Sequence, residues 1–184
     1  MMLKRRELLR KGFGLAAGAG VLAGAAPVLA FPETSVRRVG FNNLHTNEIL
    51  DVAYWENGAY IPDALDAVNL VLRDWRNGDV HVIEPHLLDL LVSLSGKVES
   101  KGRFEVISGY RSPATNAMLH EQSAEVAVHS LHMEGMAIDI RMPSVDLTYL
   151  RDAAIALGVG GVGYYPSSDF VHTDVGRVRT WSGA

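Results

Sequence analysis

Apolar, β-branched and aromatic residues cluster over residues 36–41 and 49–55, which read as two strands, and the mostly polar run 42–47 between them predicts a hairpin turn. The pattern changes after Pro62. Leu65, Val68, Leu72 and Trp75 recur at steps of three and four, which predicts a helix ending at Asn77-Gly78. A second helix opens at Pro85, where a missing amide hydrogen is tolerated, and carries Leu87, Leu88, Leu90, Leu91 and Leu94 as far as Gly96. Residues 104–108 are β-branched and apolar, a strand, and Ser112-Pro113 then supply a cap and a first residue for a helix reaching about Glu121. Residues 123–131 follow neither a helical nor a strand pattern and read as a loop that shapes a cleft. Alternation sets in at 135–141, with Met136, Ile138 and Ile140 on one face and Ala137 and Asp139 on the other. Asp146 caps a helix that Gly158 stops, and residues 160–165 and 170–175 predict a closing hairpin across 166–169. This order of elements predicts an α+β domain, a small antiparallel sheet flanked by helices.

Composition narrows the chemistry. The 184 residues are of single-domain length and 48% apolar, enough for a proper core. There is no cysteine, so disulfides and thiolate chemistry are excluded and any metal must sit on histidine and carboxylate ligands. Residues 1–30 read as an export leader rather than as structure. Lys4, Arg5, Arg6, Arg10 and Lys11 form a basic start, a Gly/Ala-rich run spans 12–26, and Val28-Leu29-Ala30 precede a cut ahead of Phe31. The twin arginine with a weakly apolar run favours the Tat signal peptide, with the Tat translocon as partner during export. That run also falls short of the ~20 residues a membrane span needs. The leader carries +4 and the whole chain −4, which leaves −8 on residues 31–184. So acidic a domain lacks the clustered cations that phosphate backbones require, which argues against nucleic-acid binding.

Candidate chemistry concentrates between Ser108 and Trp181. His132 and Asp139 lie seven residues apart, and His172 shares a strand face with Phe170 and Asp174. Where that face meets the Asp139 face, two imidazoles and a carboxylate converge, which are three protein ligands for a catalytic zinc with a fourth position open to water. Water held there has its pKa lowered towards ~7 and becomes a nucleophile at neutral pH. Asp139 between isoleucines needs a cation, a metal or several donors to be buried. Arg111 stands at a strand end just before a helix start, a common place for functional side chains; pairing with a core carboxylate is its plainer role. His45, His81 and His86 have no ligand-type partner at useful spacing and read as structural or surface residues, while His129 and Glu134 flank a ligand.

The pattern Ser130-x-His132-x-x-Gly135-x-Ala137-x-Asp139 with a later His172 resembles the zinc signature of the M15 peptidases. Residues 108–113, 160–165 and 170–176, the Asn43-Leu-His-Thr46 run, and Arg179-x-Trp181 resemble more closely the murein endopeptidase K branch of that family. The resemblance covers essentially all of 31–184 and implies a D-Ala-D-Ala peptidase-like (Hedgehog-type) zinc fold. It implies Zn2+ on His132, Asp139 and His172, Arg111 as the cation that polarises the scissile carbonyl and holds its oxyanion, and peptidoglycan stem peptides as substrate in a periplasm. For the general base, the family's glutamate three residues before the last ligand is here Asp169, one methylene shorter and in a turn, and its alternative histidine is here Phe170. Asp169 is the candidate, a turn role for it carries equal weight, and Asp174 either serves instead or orients His172. Hydrolysis of peptide cross-links is the expected activity. Trimming of terminal D-alanine, or a zinc-binding wall module without catalysis, are the rivals.

Overall fold

Two strands, β1 (Arg37–Asn43) and β2 (Ile49–Glu56), form the expected hairpin. The computed structural model describes residues 29, 31, 35–123 and 126–183; the expected leader, apart from Leu29, lies outside the described residues. Asn43 organises the hairpin turn, its Oδ1 accepting from the amides of His45 and Thr46 at 3.0 and 3.2 Å. A two-residue strand β3 (Ala59–Tyr60) follows the Asn57-Gly58 turn.

The first helix, α1 (Pro62–Val71), stops short of the Asn77-Gly78 end that its periodicity predicts. The carbonyl of Leu72 accepts from the amide of Tyr110 at 2.7 Å, a bond made to a distant loop, and residues 74–79 close into a turn of their own. Trp75, expected on the helix's apolar stripe, sits in that turn and stacks on His45 at 3.9 Å. Tertiary bonding has overridden the local pattern, and the result pins the chain just before Arg111.

Apart from the terminal strand, which the sequence does not announce, the remaining elements fall where the sequence predicts them. They are α2 (Pro85–Lys97), β4 (Phe104–Ser108), α3 (Pro113–Gln122), β5 (Ala137–Arg141), α4 (Leu147–Leu157), β6 (Gly161–Tyr165), β7 (Phe170–Asp174) and a terminal β8 (Arg179–Ser182). Ser112 Oγ caps α3 by accepting from the Thr115 amide at 3.2 Å, Asp146 caps α4 through Tyr149 at 3.1 Å, and Gly158 ends α4 in the left-handed region at φ 65°.

The sheet departs from the small antiparallel one expected. Its eight strands run β3-β2-β1-β4-β5-β7-β6-β8, and two junctions, β1 with β4 and β6 with β8, are parallel. The cause is connectivity. Helices α1 and α2 carry the chain over the sheet so that β4 enters beside β1 in the same direction, as parallel pairing demands of a long connection. Leu87, Leu88, Leu91 and Leu94 of α2 are fully buried with Val68, Leu72, Phe41, Ile138, Ile140, Leu150 and Val171 in one core. Each such side chain stabilises the fold by about 1.5–3 kcal/mol. Ile138 and Ile140 point into this core, so strand alternation turns Asp139 to the opposite face of the sheet.

A candidate metal centre

Antiparallel pairing of β5 with β7 sets Asp139 directly across from His172. Two residues facing each other across such a ladder share a sheet face. The third group, His132, comes from a short 3-10 helix (Leu131–Glu134) that Gly135 ends in the left-handed region at φ 67°. A β-carbon on Gly135 would sit 2.2 Å from the carbonyl oxygen of Val82, so only glycine makes this turn into β5. His132 Nε2, Asp139 Oδ1 and His172 Nδ1 then form a triangle with sides of 3.2, 2.9 and 3.1 Å. All three residues are at least nine-tenths buried.

The other nitrogen of each imidazole is already committed. His132 Nδ1 lies 2.7 Å from the carbonyl of Gly109, which can only accept, so that nitrogen carries the proton. His172 Nε2 lies 3.0 Å from Asp174 Oδ2. Asp174 is fully buried and also accepts from the amides of Gly161 and Gly176 and from both terminal nitrogens of Arg179. A carboxylate so surrounded by donors stays ionised and takes the His172 proton bond as acceptor. Three lone pairs therefore face one another at about hydrogen-bond distance, an arrangement that needs a cation at its centre. Zinc bonds of ~2.0–2.2 Å in a tetrahedron set neighbouring ligand atoms ~3.3–3.6 Å apart, a few tenths of an ångström wider than this triangle. The donor set fits.

Electrostatics describe the metal-free site, where a proton on His172 Nδ1 stands in for the cation by donating to Asp139. Burial alone would raise the Asp139 pKa, but His132 and His172 outweigh it and hold the carboxyl far below the usual range. Burial pushes His132 down and prevails over the attraction of Asp139. For His172 burial is overcome by Asp139 and Asp174 together, and its pKa rises. For Asp174 burial is outweighed by His172, Arg179 and the two glycine amides, which keep it low.

Arg111 stands over the triangle. Its amide donates to the carbonyl of His132 at 3.1 Å, and its Nη2 lies 3.5 Å from both Asp139 Oδ2 and Ser108 Oγ. Ser108 reaches this position through a bulge in β4, where the register with β5 shifts and Ser108 comes opposite Asp139. Triad and arginine line a cavity of about 350 Å3. Tyr165, Phe170 and Trp181 form one wall, with Trp181 tilted 5.1 Å from the His172 ring and its Nε1 donating to Tyr165 at 2.8 Å. Val126, Ala127, His129 and Ser130 form the other.

Asp169, the candidate general base, does not join this group. It holds the left-handed conformation of a tight turn at φ 54°, its side chain is 60% exposed, and its Oδ2 accepts from Arg141 Nη1 at 2.6 Å. Arg141 also holds Glu105 at 2.6 Å, so Asp169 joins an ion cluster and has the geometry of the turn residue predicted beside the base role. His45, His81 and His86 are engaged elsewhere, in stacks on Trp75 and Tyr110 and in a bond to Glu84. Asp174, weighed as an orienting partner of His172, occupies that place. Sequence reasoning named Ser108 and Gly109 only within the 108–113 motif and gave no site role to them or to Asn116, which reach the site through a bulge, a backbone carbonyl and a helix interior. The trace that Asn116 left is an amide in mid-helix, where propensity disfavours it.

Comparison with known proteins shows the family. The family model described as "Peptidoglycan L,D-endopeptidase MepK" matches residues 32–181. The "Peptidoglycan L,D-endopeptidase MepK" of Escherichia coli (strain K12) is 39% identical over 180 residues, covering 96% of each chain. The "Probable peptidoglycan L,D-endopeptidase MepK" of Haemophilus influenzae is 38% identical over 181 residues, covering 97% of this chain and 96% of the relative. No solved structure gives a significant match. With the family model spanning nearly all of the described residues, the chain belongs to the M15-type peptidase family of peptidoglycan L,D-endopeptidases.

Proposed function

We propose that this protein is a zinc-dependent endopeptidase that hydrolyses peptide cross-links of peptidoglycan at an amide of the L,D type. The observation that carries the reading is the set of three inward lone pairs from His132, Asp139 and His172 on the floor of an open cavity, with Arg111 beside them. The bond type comes from the names of the relatives.

A zinc ion held by those three atoms supplies a Lewis acid and lowers the pKa of a water towards ~7. The chain's own groups do the rest. Gly109 and Asp174 fix the tautomers and ring planes of His132 and His172, so each presents a bare nitrogen. Arg111, held by contacts of 3.4–3.5 Å, retains donor capacity for the oxygen on which charge develops as the scissile carbonyl becomes tetrahedral. The aromatic wall of Tyr165, Phe170 and Trp181 excludes water from one side and offers apolar area to the stem peptide. Asp169 is left out as proton acceptor because its carboxylate is committed to Arg141.

In this reading the mature enzyme starts near Phe31, reaches a periplasm through the Tat route and adopts a D-Ala-D-Ala peptidase-like zinc fold. Among the described residues no helix is long and apolar enough to cross a membrane. The test is digestion of cross-linked muropeptide dimers by residues 31–184, with products identified by mass. Dimers converted to monomers support an endopeptidase. Monomers shortened by a terminal alanine support trimming instead, and bound zinc without any product supports a non-catalytic wall module.

A further inference from the structure

We propose that Asn116 is a positioning residue of this site, one side-chain amide that sets both the Arg111 guanidinium and the segment 126–130 that carries one cavity wall. The kinetic part of this inference rests on the peptidase reading; the structural part does not.

Asn116 lies within α3 and is 2% exposed. A buried amide is costly unless its polar atoms are paired, and here they are. Its Nδ2 donates to the carbonyls of Ala127 at 3.0 Å and Val128 at 3.2 Å. Carbonyls only accept, so the amide orientation is settled and Oδ1 must face the other way, where Arg111 Nη1 lies 3.4 Å off. One helical turn on, and therefore on the same face, His120 Nδ1 bonds the carbonyl of Val126 at 2.6 Å. Three successive carbonyls are thus fastened to α3, and the segment they begin continues into His129 and Ser130, which line the cavity with Arg111 and His132. No other side chain bonds both the arginine and this wall among the described residues. Arg111 has only long contacts to Asp139 and Ser108 besides, so the Asn116 oxygen helps fix the direction of its fork. A substrate entering the cavity meets a wall and a cation whose spacing a single amide maintains.

Two substitutions separate this role from simple stability. Asn116→Ala removes both halves of the clasp. Asn116→Asp keeps the shape and an oxygen towards Arg111, but it turns an oxygen onto two carbonyls and adds an anion that captures the guanidinium. In both variants kcat/KM is expected to fall about 10–100-fold, as a misplacement near 1 Å costs. Zinc affinity should stay within roughly 3-fold of wild type, because no metal ligand is touched. Amide exchange at residues 128–130 should quicken about 10-fold or more while that of the β5–β7 ladder is unchanged. In an Arg111→Ala background, Asn116→Ala should cost less than it does in the wild-type protein, since the half of its role that acts through the guanidinium is already gone. The inference is overturned by near-wild-type kcat/KM in both variants, by additive losses, or by unchanged exchange at the wall. Where a variant does not fold, the wild-type protein decides. Both Asn116 side-chain protons should exchange slowly by NMR, and rapid exchange overturns the clasp. An inactive wild-type enzyme would sink the peptidase reading, while the exchange measurements would still judge the clasp.

Discussion

Replacing Asp174 by asparagine tests the tautomer argument on which the metal site depends. The carboxylate accepts five hydrogen bonds: Oδ1 from the Gly161 and Gly176 amides at 2.9 Å each and Arg179 Nη1 at 3.1 Å, and Oδ2 from His172 Nε2 at 3.0 Å and Arg179 Nη2 at 2.7 Å. Asparagine keeps one oxygen. Placing its NH2 at the Oδ1 position would confront three donors, so the NH2 takes the Oδ2 position and confronts two. One of these conflicts is relieved if His172 moves its proton from Nε2 to Nδ1. Nδ1–H then donates to Asp139 Oδ1, 2.9 Å away, which stabilises the metal-free site and removes a ligand lone pair. Loss of such an outer partner lowers metal affinity about 10–100-fold, or about 1.4–2.7 kcal/mol. Competition with a chelator of known affinity measures this directly. A zinc Kd within about 3-fold of wild type would refute the assigned tautomer.

Other substitutions divide the roles further. Arg111→Ala should lower kcat about 10²–10³-fold, the cost of losing an oxyanion donor, with zinc content unchanged; steady-state kinetics with metal analysis checks it. Asp169→Asn should change kcat by less than about 10-fold and stability by at most about 1 kcal/mol, as for an exposed ion pair. Collapse of turnover in that variant would restore Asp169 as the base. Asp74, almost fully buried, accepts from the amides of Ser112 and Arg76, and together with the Thr115 hydroxyl these outweigh the effect of burial and lower its pKa. A depressed carboxylate stabilises the fold above its unfolded pKa near ~3.9, and that contribution is lost as pH falls through the lower folded value. Asp74→Asn should therefore melt earlier than wild type at pH 7, by about 1–3 kcal/mol, with the gap closing in acid; equal melting at pH 7 would contradict the bonds described.

The meeting of Asp139 with His172 was legible because two local rules suffice for it. Alternation in β5 and β7 put Asp139 and His172 on sheet faces, and antiparallel pairing made those faces one. Caps were equally plain at Ser112, a serine directly before a proline, and at Asp146, a short polar side chain before an apolar run. What failed was whatever depends on distant partners. The helix through Trp75 was cut short by a bond from Tyr110 to Leu72, and no window around Trp75 contains that information. The parallel β1–β4 junction depends on how two helices cross the sheet, which periodicity does not encode. Asp169 carries two signals: its spacing from His172 matches a base, while its positive φ and its bond to Arg141 suit a turn residue, and the Asp169→Asn kinetics decide between them.

Reconstitution tests the central claim most directly. Metal-stripped protein would be titrated with zinc while the cleavage of muropeptide dimers bearing L,D-type and D,D-type cross-links is followed by mass. The account predicts that cleavage of the L,D-type dimer rises linearly and saturates at about one zinc per chain, the capacity of a single three-ligand site. It also predicts that His172→Ala stays inactive at any zinc level. Full activity in the stripped protein, or in His172→Ala, would contradict it.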